Sequence, residues 1–203
     1  MTTRLILVRH GQTEANKNSL ALGRADVPLN ELGREQASRL ANALSNDPIT
    51  KVYASPLSRT RETAGPIAAA LGLEVQIEES LIEMDVGELD GLDFGAVREN
   101  YPGFTETWLS DDGPEQPMPG GESLRQVFER SARFLEHVKG EHSGLTTCAV
   151  SHNFVILTML VQVMGLELRS FRRLRHGVGA VSVVEWDGKM WRVEKLNDTC
   201  HLD

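Results

Sequence analysis

The chain has two cysteines in 203 residues, fewer basic than acidic side chains, and no long apolar run. Each shortage excludes something. Cys148 and Cys200 make no metal-binding spacing, and a reduced, cytoplasmic setting is expected. Cys148 lies inside the apolar stretch "TTCAVS" and is expected to pack as a small hydrophobe. Lys and Arg number 21 against 29 Asp and Glu, a formal net charge of -8. A nucleic acid or an anionic membrane surface is thereby disfavoured as the main partner, and any bound anion needs a local cluster of positive groups. No stretch has the apolar length of a transmembrane helix. The apolar run in "MTTRLILVRHGQ" is too short before charge returns to read as a signal peptide. Repeats and low-complexity tracts are lacking. So are a His-x-x-x-His pair, an Asp-rich metal motif and the Gly-x-Ser-x-Gly elbow of serine hydrolases.

What is present suits one globular domain over residues 1–203, with 40% hydrophobic residues and a full core. The first half alternates strand and helix signals. "LILVRH" reads as a buried strand and is followed by a polar loop to about Leu29. A helix is expected from about Glu31 to Ser45, capped by Asn30, with Leu32, Ala37, Leu40, Ala41 and Leu44 on one face. "KVYAS" is a short strand, with Pro56 expected in the first turn of the next helix. That helix runs to Leu71 and should kink at Gly65-Pro66. "EVQI" follows as a strand. From Ser80 to Gly121 the periodicity fades, and residues 81–121 read as a cap-like insertion over the carboxyl edge. Short helices are expected near Phe94–Tyr101 and Thr105–Leu109, with "SDDGPEQPMPGG" as loop. A long helix spans about Glu122 to Gly140. "LTTCAVS" is the most apolar strand, and a helix from Asn153 to Met164 follows it. "AVSVVEW" and "MWRVEKL" form a closing hairpin. The fold expected is a three-layer α/β/α sandwich on a mostly parallel sheet.

In such sheets ligands sit outside the carboxyl ends of the strands. Two apolar strands end there on histidines, His10 in "LVRHG" and His152 in "VSHN". A lone strand-end histidine is usually a satisfied structural residue. Two at the same edge, one beside Arg9 and one at a helix start, suggest an anion site. Arg59 opens a helix just beyond "KVYAS" and would reach that edge, and two guanidinium forks suit a phosphoryl group. Arg61 lies farther along and reads as a surface residue. A proton donor is also needed if an alkoxide is to leave. Glu83, Asp85, Glu88 and Asp90 crowd "LIEMDVGELDG", and spacing alone does not choose among them.

Six blocks in order choose more sharply. "LVRHGQTEAN", "GRADVPLNELGREQA", "SPLSRTRETA", "LIEMDVGELDG", "PGGESL" and "VSHN" resemble the signature blocks of the histidine phosphatase superfamily, the phosphoglycerate mutase-like enzymes. The tail "LNDTCHL" is similar to that of small bacterial members. The resemblance implies that His10 is a nucleophile forming a phosphohistidine. Arg9, Arg59 and His152 would make the phosphate pocket, Asn16 a further hydrogen bond, and Glu83 the proton donor. Two departures stand out. Asn153 takes the place of a usual Gly, keeping the backbone N–H and altering the rim. Leu22 stands where Gln is frequent, removing a polar group near the substrate.

The implied activity is metal-independent hydrolysis of a small phosphate ester, with no cofactor. A metal hydrolase using His10, His152, Glu83 and Asp85 would set a dication against Arg9 and Arg59. An inactive regulatory module would not need Glu83. A cofactor-dependent mutase needs cations on its lid, and Arg98 is the one basic residue between Glu83 and Glu122. The strand "AVSVVEW" reads as an edge that could serve a homodimer.

Overall fold

A computed structural model describes residues 2–203. Six strands form one sheet in the order β3-β2-β4-β1-β5-β6. They are β1 (Thr3–Arg9), β2 (Ile49–Ala54), β3 (Val75–Ile77), β4 (Thr146–Ser151), β5 (Val181–Trp186) and β6 (Trp191–Asp198). β1, β2, β3 and β4 run parallel, and β5 is antiparallel to both β1 and β6.

The aliphatic run of β1 explains the layering. Successive strand side chains point to opposite faces, so a strand covered on both sides needs no polar alternation. Ile6 and Val8 pack on one face against α2 (Glu31–Leu44) and α3 (Ser58–Leu71). Leu5 and Leu7 pack on the other against α6 (Leu124–Glu141) and α7 (Asn153–Val163). Helix α6 presents an apolar stripe of Leu124, Val127, Phe134, Leu135 and Val138, and it starts with a capping box between Ser123 and Gln126. Helix α7 buries Val155, Ile156, Leu157, Met159, Leu160 and Val161, covering all sides as its sequence demands.

Between Leu81 and Gly121 lie α4 (Phe94–Asn100), α5 (Pro102–Leu109) and two short 3₁₀ turns, Gly87–Leu89 and Gly113–Glu115. Leu81, Met84, Val86, Leu89, Val97 and Met118 join the core on the α6/α7 side, so this segment is packed into the molecule rather than hinged over it.

Several expectations need correction. Leu32 is 45% exposed, because the inner face of α2 is taken by Gly33 and Gln36, which meet the loop after β1. A one-turn helix, α1 (Glu14–Lys17), interrupts the loop expected up to Leu29. Pro56 precedes α3, whose N-cap is Leu57, and α3 continues as one helix through Pro66. β5 is not an edge strand, being paired on both sides. The edges are β3 and β6, and β6 carries Arg192, Glu194 and Lys195, charges that oppose strand addition. Cys148 is fully buried and unpaired, and burial pushes its thiol up to about 12.

Candidate active site

β1 and β4 pair in register, with Arg9 opposite Ser151, and His10 N–H donates to the Ser151 carbonyl at 3.0 Å. The next residue on each strand is a histidine. His10 and His152 therefore meet at the carboxyl edge, with ring centroids 5.1 Å apart.

The loop beyond His10 is held by a close backbone approach. A Cβ on Gly11 would lie 2.5 Å from the Gly33 carbonyl oxygen, and one on Gly33 would lie 2.1 Å from that of Gln12. Gln12 N–H donates to Gln36 Oε1, and Asn30 N–H to the Gln12 carbonyl. The blocks around His10 and Gly33 thus clamp one another. His10 Nδ1 sits 2.7 Å from the Gly11 carbonyl, so Nδ1 carries the hydrogen and Nε2 keeps its lone pair. The ring is 3% exposed. Burial, and then the charges of Arg9 and Arg59, hold its pKa well below the ordinary 6.5, so the imidazole is neutral.

Arg59, on the first turn of α3, is fully buried. It donates to the carbonyls of Gly23 and Ala25 at 2.7 and 2.9 Å and to His152 Nδ1 at 3.2 Å. Arg9 donates to the His176 carbonyl and to Asn153 Oδ1, while its Nε is buried without a partner. Every side-chain hydrogen bond of these two cations, among the described residues, goes to a neutral acceptor. Two guanidiniums close to one imidazole and lacking a carboxylate partner are costly unless an anion joins them. Burial lowers the pKa of both, opposed by the Glu83 charge.

His152 is the N-cap of α7 and fully buried. Its Nε2 lies 2.8 Å from Ser55 Oγ while Nδ1 accepts from Arg59, which defines a neutral ring with Nε2 protonated. Its pKa too is lowered, by burial first. Asn153, the first residue of α7, does more than alter a rim, since its side chain aims Arg9. Asn16 Oδ1 accepts from the N–H and hydroxyl of Thr13, leaving its amide NH₂ as the group that can donate.

Glu83 is 4% exposed. It accepts from Met84 N–H at 2.8 Å and Phe154 N–H at 3.4 Å, the latter in the first turn of α7. Burial raises its pKa above the usual carboxylate range, although its own backbone hydrogen bond and Arg59, Arg9 and Arg130 pull the other way. The three other acids have different work. Asp85 accepts from Gly87 N–H and faces Arg24 at 3.5 Å, and Glu88 accepts from the Tyr101 hydroxyl. Asp90 accepts from the N–H groups of Gly23 and Ala25, bracing the strap whose carbonyls hold Arg59. Arg61 is exposed, as expected, and donates to Ser58 Oγ.

Sequence reasoning missed Ser55, His176 and Asp26. Ser55 follows β2 as His10 follows β1, so the strand-end rule could have found it. Asp26 accepts from the N–H and hydroxyl of Ser58 and caps α3 from outside. Nothing in the sequence marks His176, which lies in an irregular turn. Among the described residues no three His, Cys, Asp or Glu side chains gather as a metal-binding group. No helix among the described residues is long and apolar enough to cross a membrane.

This arrangement, a neutral histidine with a free nitrogen under the charge of two guanidiniums that also feel a buried carboxyl of raised pKa, has counterparts. The sequence profile of the histidine phosphatase superfamily (branch 1) matches residues 5–199. Phosphoserine phosphatase 1 of Hydrogenobacter thermophilus is 37% identical over 199 residues, 98% of this chain and 94% of that protein. A probable phosphoglycerate mutase of Photorhabdus laumondii is 33% identical over 208 residues, 97% and 94% of the two chains. The structure of Entamoeba histolytica phosphoserine phosphatase in complex with phosphoserine superposes with a TM-score of 0.90 at 25% identity, covering 98% of this chain and 99% of that one. The chain belongs to the histidine phosphatase superfamily and is a phosphatase by class.

Proposed function

We propose that this protein is a metal-independent phosphomonoester hydrolase that works through a phosphohistidine on His10, acting in the cytoplasm on a small phosphorylated metabolite. The observation that carries the reading is the pair Arg9 and Arg59, whose charges both act on His10 and which, among the described residues, hydrogen-bond only neutral acceptors. A phosphoryl group supplies the missing negative charge, and the two forks then hold its peripheral oxygens as charge shifts. They do the work for which other phosphatases use a cation.

In the first step His10 Nε2 attacks phosphorus in line. An N–P bond forms, the ester P–O bond breaks, and Glu83 gives its proton to the departing alkoxide. In the second step water attacks phosphorus and Glu83 takes its proton. The N–P bond breaks, returning neutral imidazole and inorganic phosphate. Asn16 donates to the phosphoryl oxygens, His152 fixes Arg59, and Asn153 fixes Arg9. Relatives named phosphoserine phosphatase support a small metabolite as substrate. The unpaired cysteines support a reduced compartment.

Hydrolysis is favoured over mutase chemistry by the cap. A mutase must retain a second phosphate, yet Arg98 is the one cation between Glu83 and Glu122. Arg24, which reaches this segment from outside, is neutralised by Asp85 and Glu122.

The test is rapid acid-free quenching of EDTA-dialysed protein with labelled p-nitrophenyl phosphate. Acid-labile label should appear on the wild-type chain and be absent from His10→Ala, together with turnover. A His10→Ala protein that keeps most of its activity overturns the proposal. So does activity that is lost on dialysis and restored by Mg²⁺, Mn²⁺ or Zn²⁺.

A further inference from the structure

Beside the phosphate site lies a cavity of about 310 Å³. Its walls come from the strap before Gly23 (Leu20, Leu22), from the turn after Glu83 (Val86, Leu89) and from the cap helices (Val97, Trp108). No charged residue lines it, and Ser19 and Thr105 supply the only side-chain hydroxyls. That of Thr105 is already spent on the Tyr101 carbonyl. The volume is at the small end of the range of about 300–1,000 Å³ for small-molecule sites.

The cavity and the phosphate site share two segments of chain. Phe154 lines the cavity with its ring, which stands edge-on to Trp108 at 6.1 Å, while its N–H holds Glu83. Gly23 holds Arg59 through its carbonyl, and its neighbour Leu22 lines the cavity. A Cβ on Gly23 would lie 2.7 Å from the Val86 side chain and 2.8 Å from the Met84 carbonyl, so strap and turn are in direct contact. Whatever is esterified to a phosphoryl group between Arg9 and Arg59 leaves past Glu83, and Glu83 hangs from the wall of this cavity.

Resting on the phosphatase reading above, we infer that the cavity receives the alcohol portion of the substrate, and that the substrate class is phosphate monoesters of apolar alcohols. An ammonium or carboxylate placed there would lose its water and find no partner, which disfavours phosphoserine and phosphoglycerate as substrates. An alkyl chain or an aromatic ring would instead replace water at walls of leucine, valine and aromatic carbon.

The experiment compares kcat/KM for ethyl, butyl and hexyl phosphate with phosphoserine and 3-phosphoglycerate, following inorganic phosphate. The alkyl leaving groups are chemically alike, so differences among them read burial of the chain. Each methylene should raise kcat/KM about two- to fourfold until the cavity fills, and hexyl phosphate should exceed both polar esters. Leu22→Gln in the wall and Phe94→Ser at the mouth should each flatten this dependence. Phe94 is 58% exposed, so its replacement leaves the fold intact. A flat or falling ladder with phosphoserine or 3-phosphoglycerate preferred overturns the inference and leaves the phosphatase reading standing. Release of phosphate from none of these esters while p-nitrophenyl phosphate is hydrolysed overturns the inference alone, and inertness toward p-nitrophenyl phosphate as well overturns both.

Discussion

His10 and Glu83 are both buried at one edge of the sheet, and burial moves their proton affinities in opposite senses. It lowers the first and raises the second. Burial thereby favours the neutral form of each, which is the form that a nucleophile and a general acid need together. The pH range in which both are ready lies above the lowered pKa of His10 and below the raised pKa of Glu83. Glu83→Gln removes the group that closes this window on the alkaline side. For alkyl phosphates the loss of rate should be roughly 10²–10⁴-fold, since the alkoxide then leaves unprotonated. p-Nitrophenyl phosphate leaves as a stable phenolate and should suffer far less, and its rate should stop falling at alkaline pH. Any limb from the second ionisation of the phosphate, near 6, is common to both proteins. Equal losses on both ester types, with an unaltered alkaline limb, would make Glu83 structural. Asp85 is not an equivalent substitute, because it faces solvent and Arg24.

At the scale of the elements, the site depends on how loops are clamped to helix starts. Helix α3 has no side-chain cap of its own at Leu57, and Asp26 supplies one from the preceding loop. Its carboxyl is held below the usual range by the Ser58 N–H it accepts from. The loop after β1 is clamped to α2 by the contact of Gly11 with Gly33. Gly33→Ala would drive a methyl to within 2.1 Å of the Gln12 carbonyl, and backbone on both sides leaves no flexible side chain to yield. The expected cost is about 1–3 kcal/mol of stability, measured by urea unfolding. KM for p-nitrophenyl phosphate should rise as well, because Gln12 lies between His10 and the Thr13–Asn16 turn. Wild-type stability and KM in Gly33→Ala would show that the clamp is slack. The sequence block containing Gly33 was visible, yet its reason was not. Helical periodicity placed Leu32 on the inner face, whereas tertiary contact placed Gly33 there.

For the molecule as a whole, the layers were legible because the centres of β1 (Leu5–Val8) and β4 (Cys148–Val150) are unbroken apolar runs, which only burial on both faces permits. The convergence of His10 and His152 followed from strand ends and parallel pairing alone. What escaped was whatever long-range contact decides: that β5 is interior, that Asn153 aims Arg9, and that Ser55 and His176 stand behind the site. His176 shows what is hidden at this scale. Its Nε2 meets Ser182 Oγ, its carbonyl holds Arg9, and its pKa falls to about 3, chiefly through burial. With His10 and His152, it makes three histidines that the fold keeps neutral. A group whose folded pKa is depressed leaves stability intact above its unfolded pKa, near 6.5, and withdraws it as pH falls, because only the unfolded chain takes up the proton. Each such histidine contributes up to about 1.4 kcal/mol per pH unit below 6.5. His142, lowered by burial as well, acts in the same sense. Glu83 acts in the opposite sense, since its raised pKa lets the folded chain hold a proton that the unfolded chain releases. Most other carboxylates begin to titrate only below about pH 4.5, so the interval from 7.5 to 5.5 isolates the histidines. Urea unfolding across that interval should show a loss of roughly 2–4 kcal/mol. His176→Asn, which keeps a hydrogen-bonding group beside Ser182, should lessen the loss by the share of one site, up to about 1.4 kcal/mol per pH unit below 6.5. Equal stability at the two pH values would mean that the buried histidines take up protons in the folded state. The same result would remove the reason for expecting His10 to stay an unprotonated nucleophile in mild acid.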